Sequence, residues 1–319
     1  MEYKRMNLHT NKKLFSDTIR AASEHLKINE EFVEKDYWIT LLLKKLSKSK
    51  YSKDTVFKGG TSLSKCYGII NRFSEDVDIA IINDDDKSGN QVKTIIRETG
   101  KAMTTELTEI NVEGVTSKGS RFRKTVHEYE STDPKNKNNK IIVEINSFAN
   151  PFPHLLHSIN TMFHDFLNQT GNTKIIEQYD LKPFQINVLD KKQTLLEKLA
   201  SLIRFSLDEN PVESIKNKIR HFYDIYYLIN DTDCNSFSKT EEFKTKFNEL
   251  LIHDKEIFDE PVGWKNKSIY DSPLIHNFDS IWEQLKSTYR TELFALAFSA
   301  IPNEKEIAKS FKEIASIIR

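Results

Sequence analysis

The 319-residue chain predicts an α+β protein: a mixed β-sheet core with flanking helices, then a C-terminal helical domain. Three observations carry this expectation. Short β-branched, apolar runs that read as strands fall between residues 55 and 148. Helical periodicity dominates from about 190 onward. A chain with only nine glycines also places three of them, Gly59, Gly60 and Gly68, within ten positions, which points to a backbone constraint there. The division expected is an N-terminal domain over 1–188 and a helical domain over 189–319 that completes its cleft.

The elements follow in order. Phe15, Ile19, Ala22 and Leu26 recur at helical spacing, and "EEFVEKDYWITLLLKKLSK" continues with Val33, Tyr37 and Leu41, so two helices open the chain. "TVFKGG" reads as a short strand entering a glycine turn, "SLSKCYGII" as a helical turn leaving it, and "DVDIAII" as a buried strand. "NDDDKSGN" at 83–90 is a polar loop, and 91–107 is helical. Residues 120–130 and 140–148 read as two strands joined by "STDPKNKNNK", a loop of turn formers and lysines. Downstream, "LLEKLASLIRFSL" carries apolar residues at 195, 196, 199, 202 and 203. One helix is read through "SIKNKIRHFYDIYYLIN", with its stripe at 215, 219, 222, 226 and 229. Helices at 241–252, 279–298 and 303–318 complete the chain, without an internal repeat.

Forty-seven basic and 47 acidic side chains cancel, so net charge announces no nucleic-acid binder, although a local basic face remains compatible with it. Cys66 and Cys234 lie far apart and suggest neither a zinc site nor a disulfide framework. "MEYKRMNLHT" lacks the apolar core of a signal peptide, and "LFALAFSAI" is about half the length a membrane span needs. A soluble cytoplasmic protein without membrane association is expected.

The chemistry concentrates in "FKGGTSLSKCYGIINRFSEDVD" at 57–78. Neither phosphate-loop form, G-x-x-x-x-G-K-[ST] or G-x-G-x-x-G, is present. What stands there is a strand, Gly-Gly, Thr-Ser and a helix. Glycines let backbone N–H groups approach an anion, and hydroxyls add donors. In a strand, residues i and i+2 share a face, so Asp76 and Asp78 project together. Two like charges that close are unfavourable unless a cation lies between them. Magnesium takes oxygen ligands and commonly joins one or two carboxylates to substrate phosphates. Alone, the aspartates read as the end of a loop, one of them capping a turn. Combined with the glycine turn, they describe a site for a metal-bound triphosphate.

This arrangement, G-G-T/S, a helix, then R-x-S-x-D-x-D, resembles the signature of nucleotidyltransferases related to DNA polymerase β. "KGGTSLSKCYGIINRFSEDVDI" is close to the AbiEii/AbiGii toxin branch, and "EKDYWITLLL" looks like that family's opening helix. The likeness covers most of 30–230. It implies a nucleotidyltransferase-type mixed sheet, NTP as substrate, Mg²⁺ as cofactor and toxin action in a bacterial toxin–antitoxin pair with a cognate antitoxin. Some relatives modify the 3′ end of tRNA, so the acceptor implied is RNA, with tRNA foremost. A kinase or a protein nucleotidyl-modifying enzyme using the same site is the alternative. A binder without catalysis would need no metal ligands.

The resemblance also assigns roles. Asp76 and Asp78 would hold two Mg²⁺ ions, with Glu144 on the one nearest the attacking hydroxyl; otherwise Glu144 is a solvent-facing strand residue. Lys58, Gly59, Gly60, Thr61 and Ser62 would bind the triphosphate, and Arg72 and Ser74 would position phosphate or the loop itself. Lys198, at the edge of its stripe, would neutralise charge on the triphosphate; the plain reading is a surface lysine. Asp224 would orient Lys198 or the base. By helical angle alone it points away from the apolar stripe and reads as solvated, paired with Arg220 at i−4. The family's Lys-Asp is replaced here by Arg220-His221. The basic stretch 43–53 could touch an RNA backbone or be a solvated face.

Overall fold

A computed structural model describes residues 6–74, 76–83 and 87–319. The start of "MEYKRMNLHT" and the middle of the polar loop at 83–90 lie outside the described residues.

In chain order the elements are α1 (Lys12–Leu26), α2 (Glu30–Lys48), β1 (Thr55–Lys58), α3 (Gly59–Lys65), β2 (Asp76–Ile81), α4 (Gly89–Met103), β3 (Thr108–Ile110), β4 (Ser117–Lys118), β5 (Phe122–Glu128), β6 (Lys140–Asn146), β7 (His154–Ile159), α5 (Met162–Gln169), α6 (Thr173–Gln178) and β8 (Phe184–Leu189). They continue with α7 (Lys191–Ser206), α8 (Pro211–Lys216), α9 (Arg220–Asn230), α10 (Thr232–Ser238), α11 (Glu241–Ile257), α12 (Pro273–His276), α13 (Phe278–Leu296) and α14 (Glu304–Ile318).

The chain forms two units. The first comprises the described residues up to Cys66 together with Phe73–Leu189. The second comprises Tyr67–Arg72 and Asp190–Arg319. The hexapeptide therefore belongs with the helices although it lies far upstream of them.

In the first unit the strand order is β3-β5-β6-β2-β1-β8-β7, with β4 on β5. The sheet is mixed, because β2 runs parallel to β6 and β1 parallel to β8 while the remaining pairs are antiparallel. Val77, Ile79 and Ile81 of β2 and Ile141 and Val143 of β6 are fully buried, which explains their near-continuous apolar runs. The strands read at 120–130 and 140–148 appear as β5 and β6, slightly shortened. Four more strands were not expected: β8, whose "FQINVL" does alternate, and three that carried no clear signal. β3 and β4 are only three and two residues long, and edge strand β7 leaves Leu155 and Leu156 exposed, so the alternation that marks a half-buried strand is missing.

Helix α2 is the hub of this unit. Its N-cap Asn29 accepts from Glu31 N, and Glu30 and Glu31 sit in the positive first turn. Beyond that turn every residue from Val33 to Thr40 is buried, including Glu34, Lys35 and Asp36, because α1, α4, α5 and β8 all pack on it. The buried charges each have a purpose. Glu34 accepts from Ser131 Oγ (2.7 Å) and Thr132 N (2.8 Å), tying down the β5–β6 loop. The Lys35 ammonium lies 5.8 Å from the Phe73 ring centroid. Asp36 pairs with Lys65 of α3 and accepts from Met162 N at 2.8 Å.

In the second unit α7 and α9 are central. Phe222 of α9 packs against Phe278, Trp282 and Phe311. The helix read as continuous through 215–229 is broken, since α8 ends at Lys216 and α9 begins at Arg220. The stripe spanning both was therefore not one face. α11 runs five residues beyond the expected 252. Among the described residues no helix is long and apolar enough to cross a membrane.

The Asp36–Lys65 pair is a buried bond in the wall behind the glycine turn, with side-chain exposures of 4% and 9%. Asp36→Ala strands the lysine and is expected to lower unfolding free energy by about 3–5 kcal/mol in denaturant titration. An Asp36→Leu/Lys65→Met double variant should recover most of that loss, because it removes both charges. An equally large loss in the double variant would assign the effect to packing rather than charge.

Candidate active site

In the sheet unit the glycine turn and the aspartates meet. β1 ends at Lys58, and Gly59 takes φ 79°, a conformation open to glycine and strained for other residues. A Cβ on Gly59 would overlap the Asp78 carboxylate. Gly59 is thus required twice, by its dihedral and by the carboxylate that occupies its side-chain position. Gly60 is the second residue of α3 and buried. Thr61 and Ser62 are buried, their hydroxyls donating to the carbonyls of Asp76 and Gly59. They brace the turn from within. α3 has only seven residues, so any anion support rests on the glycines more than on a dipole.

Asp76 and Asp78 are half-buried on one face of β2, with Val77 sealed on the other. The register extends this face into a charged row: Lys58 pairs with Asp78, Asp78 with Glu144, and Glu144 with Lys124. Row partners on adjacent strands project to the same side. Lys124 Nζ lies 3.5 Å from Glu144 Oε2. Sequence reading missed Lys124, because its strand was legible but its register was not.

The oxygen-only donors Asp76 and Asp78 suit Mg²⁺, which needs few protein ligands and completes its shell with phosphates and water. Among the described residues no three His, Cys, Asp or Glu side chains stand grouped as a metal site. Glu144, at Asp78's shoulder, is engaged by Lys124 instead.

In the helical unit the later motif residues form a buried ion cluster. Arg72 donates from Nε to Asp224 Oδ1 and from Nη2 to Asp224 Oδ2, both at 2.7 Å. Lys198 Nζ lies 2.7 Å from Asp224 Oδ2. Asp224 is 0% exposed, Arg72 3% and Lys198 6%. The expectations of a solvated Asp224 and a surface Lys198 are therefore corrected. α9 is wrapped by α7, α10, α13 and α14, so the side opposite its apolar stripe is covered as well. The i−4 pairing with Arg220 gives way to Arg72, which helical spacing could not reveal from outside the helix. Asn71 N donates to Tyr223 Oη (3.3 Å), Asn71 O accepts from Phe298 N (3.1 Å), and Arg72 bridges Ala297. Ser74, two positions on, is buried in the sheet unit.

Burial alone would raise the Asp224 carboxyl, but the Arg72 and Lys198 cations outweigh it and hold the carboxyl well below the usual range. His221 is driven well below its ordinary value, first by burial and then by Lys198 and Lys218. Its Nδ1 is sealed from solvent without a hydrogen-bond partner. In the basic stretch, Lys44 and Lys48 each pair with Asp180 and Lys45 with Glu106, all at 3.1 Å. Three of its cations thus already have carboxylate partners, two of them sharing Asp180.

Two outcomes follow for the helical unit. Asp224→Asn leaves two buried cations facing each other and should cost about 3–5 kcal/mol. Lys198→Met, which keeps the bidentate Arg72 contact, should cost about 1–3 kcal/mol. Denaturant titrations giving the reverse order would contradict the cluster. The pH dependence has a definite sign. His221 is neutral when folded, whereas an unfolded histidine takes a proton below about pH 6.5. That contribution to stability is full above this pH and declines as pH falls. Asp224's contribution is full above about pH 3.9 and is lost only below it. His221→Gln should therefore lose less stability than the native chain between pH 7.5 and 5. Parallel stability profiles would show that His221 does not carry the effect.

Comparison with known proteins gives the affiliation. The family described as "Nucleotidyl transferase AbiEii toxin, Type IV TA system" matches residues 40–312. Among solved structures, the chain is similar to MenT4, a nucleotidyltransferase toxin from Mycobacterium tuberculosis H37Rv, at 17% identity and a TM-score of 0.48, covering 94% of this chain and 99% of that one. No curated protein matches. With the family match spanning most of its length, this chain belongs to the AbiEii nucleotidyltransferase toxins of type IV toxin–antitoxin systems, a membership that makes it an enzyme and implies a cognate antitoxin.

Proposed function

We propose that the protein transfers NMP from a Mg²⁺-bound NTP to an RNA acceptor hydroxyl, with the tRNA 3′ end as the foremost acceptor. The observation that carries this reading is the fit of Gly59 against Asp78, with Asp76 beside it on the same strand face. A turn that excludes every Cβ at the edge of a carboxylate pair is suited to bringing phosphates up to a shared cation.

In the reaction the acceptor oxygen forms a bond to the α-phosphorus while the bond to pyrophosphate breaks, pyrophosphate leaves and the hydroxyl proton passes to solvent. Mg²⁺, when bound, activates the hydroxyl and stabilises the leaving oxygens. Asp76 and Asp78 would hold it, and Glu144 would add a further oxygen ligand. Lys58, Gly59 and Gly60 are assigned to the phosphates, with Thr61 and Ser62 keeping the turn in shape. Lys198 is assigned to phosphate charge, with Asp224 fixing its ammonium. The supporting observation is that Asp224 holds the Lys198 ammonium at 2.7 Å. Arg72 is assigned to holding the segment before the aspartates, since its guanidinium is engaged by Asp224.

Incubation with total RNA, Mg²⁺ and each NTP carrying an α- or γ-label tests the reading. Transfer of α-label to RNA with pyrophosphate release supports it. Transfer of γ-label marks a kinase, and α-label on protein marks a protein-modifying enzyme. Asp76→Ala and Asp78→Ala should each lower transfer by about 100- to 1000-fold or more while remaining folded. Gly59→Ala should weaken NTP binding in calorimetry, because it strains φ by about 1–2 kcal/mol and displaces Asp78. Unchanged NTP affinity in that variant would make the turn merely structural.

A further inference from the structure

The charged row on the sheet ends in a residue to which the proposed reaction gives no role. β6 lies between β2 and β5, so Glu144 has Asp78 on one side and Lys124 on the other. Neighbouring strands lie about 4.8 Å apart, and like charges directly opposite on a sheet repel. The Glu144 carboxylate is paired toward β5, with Oε2 3.5 Å from Lys124 Nζ. Arg123 alternates to the other face and donates to Glu109 at 3.2 Å. The Lys124–Glu144 pair is only partly covered, at 30% and 27% side-chain exposure, so the long lysine stem can leave it without unfolding anything.

We propose that Lys124 is a positioning residue that competes with a divalent cation for Glu144. With its ammonium in place, Glu144 is held away from Asp78 and the metal-binding face presents two carboxylates. With the ammonium displaced, Glu144 becomes free to act as a third oxygen ligand. This explains why Glu144, although in register with Asp78, does not stand grouped with Asp76 and Asp78 as a ligand trio. The inference rests on the reading that Asp76 and Asp78 hold a divalent cation.

The test is Mn²⁺ binding without nucleotide, followed by electron paramagnetic resonance of the free ion. Lys124→Met should bind Mn²⁺ about 2- to 5-fold more tightly than the native chain, the scale of an exposed ion pair. Lys124→Arg should stay near native affinity. The gain should vanish in Lys124→Met/Glu144→Gln, which has the native net charge. Unchanged or weaker binding in Lys124→Met overturns the proposal, as does a gain that survives in the double variant. Asp78→Asn separates the two levels of inference. If it abolishes binding while Lys124→Met changes nothing, only the Lys124 role falls. If the native chain and Asp78→Asn bind alike, or neither binds, the carboxylate-pair reading fails and the Lys124 role with it.

Discussion

The buried carboxylate of Asp224 is the constraint around which the helical unit is arranged. A carboxylate withdrawn from water costs several kcal/mol unless its oxygens are matched by cations in good geometry. Here Arg72 engages both oxygens and Lys198 shares one of them. The three partners come from the hexapeptide, α7 and α9, segments far apart in sequence. Satisfying one charge therefore fixes the place of a six-residue excursion that has little core of its own. The ties of Asn71 to Tyr223 and Phe298 secure the same excursion. A lysine in place of Arg72 could not reproduce the two parallel bonds, because an ammonium lacks the planar fork.

The sheet unit manages charge differently. Its carboxylates are half-buried and spread along a strand face, with lysines at both ends of one row. Partly exposed pairs such as Lys124–Glu144 are weak and exchangeable, as an entering phosphate or cation requires. The rigid part lies behind them, where Asp36 and Lys65 fix α3 and the Thr61 hydroxyl ties the turn to β2. A firm backbone carrying replaceable counter-charges is the arrangement expected of a site that must bind and release highly charged ligands.

The sequence by itself determined the α+β class, the opening helices, the central strands and the place of the chemistry. Each of these rests on local physics. Period-two and period-3.6 patterns mark strands and helices, glycine marks a strained turn, and an i, i+2 carboxylate pair shares a strand face whatever lies around it. Only the tertiary structure decided burial, pairing and register. Asp224 and Lys198 look like surface residues because helical angle reports one covered face, whereas α9 is covered on several sides by elements the angle cannot see. The partnership with Arg72 links positions 152 residues apart. Lys124 became visible only when β5, β6 and β2 were aligned, since a one-residue slip would have sent it to the opposite face. Long-range contacts are set by how whole elements pack, and no local window of sequence contains that information.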